Sequence, residues 1–230
     1  MKKIVFLCIT SIVFLFGMSK SNNVVPFLQP IIKDLEIKTD VPLLFPTYWT
    51  DLSKYSDPFP NVRYEANKKD YTLYFLTMDR IYPPNDPQLQ YISESNKFGL
   101  FEGKIGEFKS LKKQKNYIPT KSIEGIQLWL EPKFKISLYG KYKNWAFITE
   151  GMGSNTASTE ITVQLIKEMK QLNWLKDKDI VKGNIFITRN ASSGKIIVTW
   201  QSKKGFVYEF ESKASIRETL KIINSMKYIN

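Results

Sequence analysis

The sequence contains no histidine and a single cysteine. The first absence removes imidazole general bases, Ser-His-Asp and Cys-His nucleophilic systems, and the commonest zinc ligand in one step. The cysteine, Cys8, lies inside the apolar run Ile4–Phe16, whereas a lipid-modified cysteine would end such a run after a small residue. Lys2 and Lys3 precede the run and Gly17-Met-Ser19 follows it. A positive start, an apolar middle and small residues at a cut site read as a secretory signal peptide, assigned to residues 1–21. As a helix, Ile4–Phe16 spans about 20 Å against a hydrocarbon core of ~30 Å. An uncleaved membrane anchor is the alternative, and no later stretch is apolar enough to span a bilayer. With Cys8 discarded, the exported chain has no disulfide, thiolate metal site or thiol nucleophile.

Carboxylate, lysine, tyrosine and arginine chemistry remain. A glycosidase needs two carboxyl groups about 5–10 Å apart, and Glu131, Glu150 and Glu160 are available, with nothing in their spacing that pairs them. Asp177-Lys-Asp179 is half of a calcium loop without the central glycine or the closing glutamate. The glycine-rich stretch Glu150–Thr159 lies between a strand and a helix pattern but lacks P-loop spacing, so it reads as a connection into a capped helix. Asn190-Ala-Ser192 matches a glycosylation acceptor and reads as a turn. These patterns assign no catalytic residue, no cofactor and no metal.

What the chain has in quantity is positive charge, +12 formally. Outside a cell membrane such a charge favours anionic headgroups, anionic wall polymers or acidic partner proteins, while export argues against nucleic acid. A solvated basic surface without a partner is the plainer reading. The lysines concentrate at Lys109, Lys112, Lys113 and Lys115. Of the five tryptophans, Trp129 and Trp145 sit in strand patterns and read as core, whereas Trp174 lies in the polar stretch 171–183. Trp174 and the four lysines are the candidate ligand contacts.

The stretch Lys195–Glu211 carries the strongest structural signal. Ile196–Trp200 is β-branched and aromatic, Phe206, Tyr208 and Phe210 alternate, and Gly205 suits the turn between them. Ser215 and Glu218 have capping-box spacing, and Ile216, Leu220, Ile223 and Met226 follow at helical spacing. A weaker copy lies upstream: Lys143–Phe147 matches Lys204–Tyr208, and Leu165–Lys170 matches Ile222–Lys227. Strands at 125–131, 134–139 and 184–189 complete two β-β-β-α units, through duplication or through the general likeness of amphipathic hairpins. Nearer the start, 25–35 is a short helix, 41–46 an edge strand between prolines, 62–66 and 71–77 a hairpin, and 98–102 and 104–108 a hairpin about Gly103. The fold class is α+β: an antiparallel sheet of hairpins with helices on one face, divided into an N-terminal β-rich portion, 22–115, and a C-terminal portion, 116–230.

The pattern Gly194-Lys-Ile-Ile-Val-Thr-Trp200, Gly205-Phe-Val-Tyr-Glu-Phe210 and a helix ending Ile222-Ile-Asn-Ser-Met226 resembles exported bacterial domains of unknown function that carry a W-x(3–4)-G-x-x-Y hairpin and a short final helix. The run Val41–Pro46 also looks like an opening motif of such proteins. Loosely, these domains are similar to lipoprotein carriers and sigma-factor stress regulators, which implies a curved sheet over helices and, for a carrier, a cavity between them. The resemblance implies no catalytic residue, and this chain differs in having no lipobox and no attached regulatory domain. The resulting expectation is an exported, non-catalytic envelope protein that binds anionic lipid, wall polymer or another envelope protein. The alternatives are a carboxylate-dependent hydrolase of envelope glycans and a regulatory or structural interaction module.

Overall fold

A computed structural model describes residues 24–53, 55–133, 136–151, 153–174, 179–189 and 194–229. The signal run with Cys8, Asp177 and the Asn190–Ser192 acceptor lie outside them. The chain opens with a 3-10 turn, Pro26–Ile31, continuing into α1 (Ile32–Lys38). The strands follow as β1 (Leu44–Phe45), β2 (Phe59–Asn67), β3 (Asp70–Met78), β4 (Lys97–Ile105), β5 (Ile118–Ile123), β6 (Ile126–Leu130), β7 (Ser137–Tyr142) and β8 (Trp145–Glu150). After α2 (Asn155–Gln171) come β9 (Ile180–Arg189), β10 (Gly194–Ser202), β11 (Phe206–Ser212), α3 (Ile216–Ser225) and β12 (Lys227–Tyr228).

The fold is α+β, dominated by a ten-stranded sheet in the order β2-β3-β4-β11-β10-β9-β8-β7-β6-β5. Its neighbours are antiparallel except β8 and β9, which run parallel on either side of α2. Parallel neighbours need a long crossover, and α2 supplies it. β4 pairs with β11, so the 22–115 and 116–230 portions share one sheet. The run between prolines does form an edge pairing, β1 with β12, tying 41–46 to the chain end.

Alternation along the strands fixes what each face touches. On β8, Trp145, Phe147 and Thr149 point toward α2, where Thr149 Oγ1 meets Thr162 Oγ1. Ala146 and Ile148 therefore point to the opposite face. Ile161, Leu165, Ile166 and Met169 of α2 and Ile216, Leu220 and Ile223 of α3 are buried at helical spacing. They close on Phe147, Ile185, Ile187, Val198 and Phe210, all of which are fully buried. Each such side chain contributes about 1.5–3 kcal/mol. The space beneath α2 and α3 is thus filled by side chains, and the cavity that a carrier resemblance implies has no support there.

Two helix caps follow the sequence. Ser215 Oγ accepts from Glu218 N (3.2 Å), and Ser154 Oγ accepts from Ala157 N (3.1 Å). The carboxylate of Glu218 instead accepts from Tyr48 Oη (2.5 Å) and Lys221 Nζ (3.0 Å).

One expected hairpin is corrected. Residues 98–108 do not turn at Gly103, because β4 runs straight through it. Gly103 pairs with Tyr71 on one side and Tyr208 on the other. A Cβ there would lie 2.5 Å from the Tyr71 ring and 3.0 Å from the Tyr208 ring. The glycine makes room for two cross-strand aromatics and has no turn to form.

Candidate functional site

The link from β4 to β5 has an unusual task. These strands stand seven spacings apart in the sheet, about 34 Å at ~4.8 Å each. The twelve intervening residues reach only about 40 Å when extended, so residues 106–117 cross the sheet with little slack, and the turn in which Tyr117 N donates to Gln114 O (3.1 Å) takes up what there is. They do so on the face turned away from α2. Lys182 Nζ of β9 lies 5.2 Å from the Phe108 ring, and Lys113 Nζ lies 5.2 Å from the Trp129 ring of β6. Leu111 and Tyr117 pack with Trp129, Tyr139, Ala146 and Ile148 in an apolar cluster of their own. Tyr117 and Tyr139 meet edge-on at 6.5 Å.

Asn184 fastens this strap. Its Oδ1 accepts from Leu111 N (2.9 Å) and its Nδ2 donates to Lys109 O (2.8 Å). A buried amide that satisfies one donor and one acceptor of a crossing backbone replaces the pairing an extended chain would otherwise lack. Asn184 is 8 % exposed, in a strand whose neighbours are isoleucine and phenylalanine.

Lys109, Lys112, Lys113 and Lys115 all stand exposed on the strap. None of them forms an ion pair among the described residues. Lys182 shares the face of Asn184, two residues along β9, and Lys141 shares the face of Tyr139, two residues along β7. They too form no ion pair among the described residues. At the far end, burial pushes the Tyr117 hydroxyl above its ordinary range, and the charges of Glu131 and Glu150 push it further.

The lysines singled out from the sequence are therefore brought together, on an ordered crossing segment and not a loose loop. Trp174 is not among them. It is 3 % exposed and packs edge-on against Trp145 at 5.3 Å. Left-handed Asn173 (φ 47°) turns the chain after α2, and Trp174 N donates to Met169 O (3.0 Å), which carries the indole inward. That burial leaves Trp174 without the exposed ring that a ligand contact would need. Asn184, Leu111, Tyr117, Lys141 and Lys182 were missed. The available signal was an amide sharing a strand face with Phe186 in the β-pattern Gly183-Asn-Ile-Phe-Ile187, opposite the face of Ile185 and Ile187.

Among the carboxylates, Glu150 Oε1 accepts from Ser137 Oγ (2.9 Å) and Glu131 Oε1 accepts from Lys133 N (2.8 Å), while Glu160 is exposed on α2. At the opposite end of the sheet, a groove of about 440 Å³ lies between the 3-10 turn, β2 and residues 81–84. Phe27, Val62, Ile81 and Tyr82 make its walls apolar. Asn61 holds the 79–82 segment there, donating to Arg80 O (2.8 Å) and accepting from Tyr82 N (2.7 Å). Among the described residues no helix is long and apolar enough to cross a membrane, and no cluster of three or more metal-binding side chains forms.

No family model matches this sequence, and no curated relative matches it. A solved structure from Bacteroides thetaiotaomicron aligns with 56 % of this chain at 12 % identity and a TM-score of 0.17. This chain spans 45 % of that protein's length, and a likeness so slight carries no argument.

Proposed function

We propose that this is an exported, non-catalytic envelope protein that binds an anionic component of the cell envelope through the lysine-bearing strap. The observation that carries the reading is the strap: a crossing segment, fastened by Asn184, whose four lysines outnumber its single carboxylate, Glu107, and form no ion pair among the described residues. The N-terminal signal pattern supplies the exported location, with retention as an anchor the alternative. In this reading the helices cover one face of the sheet, two β-β-β-α units stand side by side, and the other face is left for the strap.

The test is binding of the mature chain to phosphatidylglycerol-containing vesicles and to a glycerol-phosphate oligomer across a salt series. Affinity should fall steeply with salt, because exposed charges are screened beyond about 8 Å at physiological ionic strength. Replacing Lys109, Lys112, Lys113 and Lys115 by glutamine should remove most of it. Salt-independent binding, or no binding to either probe at low salt, overturns the proposal.

A further inference from the structure

We infer that Asn184 is the positioning residue of a single elongated anion site, in which the strap lysines act together with Lys141 and Lys182 on a linear polymer bearing repeated phosphate groups. The inference rests on the anion-binding reading above and adds to it a geometry and a partner class.

Three observations carry it. Asn184 holds the strap backbone at two adjacent points, Lys109 O and Leu111 N. Those bonds set the strap on β9 beside Lys182, whose ammonium group already lies over Phe108 of the strap. Leu111 then packs against the cluster of Tyr117, Tyr139 and Ala146, and Lys141 pairs with Ala146 across β7 and β8. The pinned segment therefore lines up cations from the strap, β9 and β7, which a loose linker of the same charge would scatter. Ordering such a segment on binding would oppose affinity, and folding has already ordered it.

The lie of the charges favours a linear polymer over a bilayer. Residues 107–113 of the strap cross successive strands without a turn, so Lys109, Lys112 and Lys113 follow its line, while Lys115 sits in the turn that Tyr117 N closes on Gln114 O (3.1 Å). Its own apolar side chains are turned down: Tyr117 is buried, and Leu111 and Phe108 are half-buried. Membrane-surface binding gains from apolar side chains that enter the lipid. Here the exposed large apolar residues next to the strap are Ile105 and Ile118, one at each end and neither within it. A phosphate polymer needs only spaced cations, and its binding loses about 0.7–0.9 in log affinity per log salt for each phosphate neutralised.

The experiment compares the mature wild-type chain with Asn184→Ala, which leaves the net charge unchanged. The probes are the glycerol-phosphate oligomer, inorganic phosphate and phosphatidylglycerol vesicles, with trypsin cleavage at Lys109–Lys115 reporting the strap. We expect Asn184→Ala to speed cleavage there and weaken the oligomer about tenfold. Lys141→Gln and Lys182→Gln should each lower the salt slope by about one. Leu111→Ala, which loosens the strap from its apolar seat, replaces Asn184→Ala should that variant not fold. If the strap is freed and oligomer affinity holds, the positioning role is overturned while the anion-binding reading stands. Unchanged salt slopes in both lysine variants remove those two residues from the site. Vesicle binding without oligomer binding, or equal affinity for inorganic phosphate, overturns the polymer. If wild type binds none of the probes, the functional reading itself fails.

Discussion

Replacing Gly183 by alanine tests the packing that supports the strap. Gly183 pairs with Trp145 across the β8–β9 junction and with Trp200 on β10. A Cβ on Gly183 would lie 2.1 Å from Cζ3 of Trp145 and 2.4 Å from both Cε3 and Cη2. The ring has nowhere to retreat, being 5 % exposed with Trp174 against it. Overpacking of this kind costs about 1–3 kcal/mol. The backbone here is not left-handed, so alanine also recovers about 0.4–1 kcal/mol by restricting the unfolded chain. The net loss should be about 1.3 kcal/mol, and for a chain of this size that lowers the melting temperature by about 3–5 °C. Thermal and urea unfolding followed by circular dichroism would measure it, with Gly106→Ala as a control whose nearest neighbour is 4.0 Å away. Because Gly183 precedes Asn184, trypsin should also cut the strap faster in Gly183→Ala. A melting temperature equal to wild type would refute the close approach and the β8–β9 register with it.

Further expectations concern the ties between distant segments. Tyr71→Phe should cost about 1–3 kcal/mol in urea unfolding, since Leu44 N donates to the buried Tyr71 hydroxyl (3.0 Å) and would lose its partner. Ser215→Ala should cost about 1 kcal/mol through loss of the α3 cap, read by the same method. Alkaline stability offers a third check. The hydrogen bond to Glu218 raises the Tyr48 hydroxyl to about 12, and burial with a bond to Asp34 raises Tyr64 to about 12. Both folded values exceed the ordinary phenol value of about 10, so the folded state keeps these protons longer than the unfolded chain. Their stabilisation is full below pH ~10 and disappears as pH rises toward 12. The Tyr48→Phe/Tyr64→Phe double variant should show a shallower loss of melting temperature across that window, and an unchanged slope would count against both bonds.

The hairpins were legible because their signals are local. Alternation over Phe206–Phe210 and a left-handed Gly205 (φ 88°) suffice to define β10–β11. Tyr71–Thr77 lies within β3 for the same reason, and Ser215 and Ser154 mark helix starts at short range. The failures are non-local. Gly103 has the look of a turn until Tyr71 and Tyr208, distant in sequence, are known to lie beside it. Residues 118–123, just past the division at 115/116, were given no element and form the edge strand β5, whose Pro119 and exposed faces give no apolar pattern to follow. Trp174 looked exposed because its neighbours in sequence are polar, yet one left-handed residue, Asn173, turns it inward. The lysine cluster was visible in the sequence, but the residue that fixes it in place was not. Asn184 acts on a segment more than seventy positions earlier.

The strand order makes the strap unavoidable. Had β5 paired with β4 as a hairpin, residues 106–117 would be a free loop and their lysines a solvated tip. Instead β11, β10 and β9 fill the places next to β4, and the chain must travel the width of the C-terminal strands to begin β5. A crossing segment on an exposed sheet face has unpaired backbone along its length, which demands a partner such as Asn184. Its side chains divide between the sheet and water. Leu111 and Tyr117 take the sheet side and form their own cluster with Tyr139 and Ala146. The exposed positions around them hold the lysines, with the Lys113 ammonium reaching back over Trp129. Shortening the strap should separate the two roles. Deleting Ser110 leaves eleven residues to cover about 34 Å, a reach of about 36 Å, and shifts Lys109 or Leu111 away from Asn184. We expect such a chain to fold with a lower melting temperature and to lose oligomer binding although no charge is removed. Retained binding in the shortened chain would show that the lysines act by charge alone and that the crossing has no part in holding them.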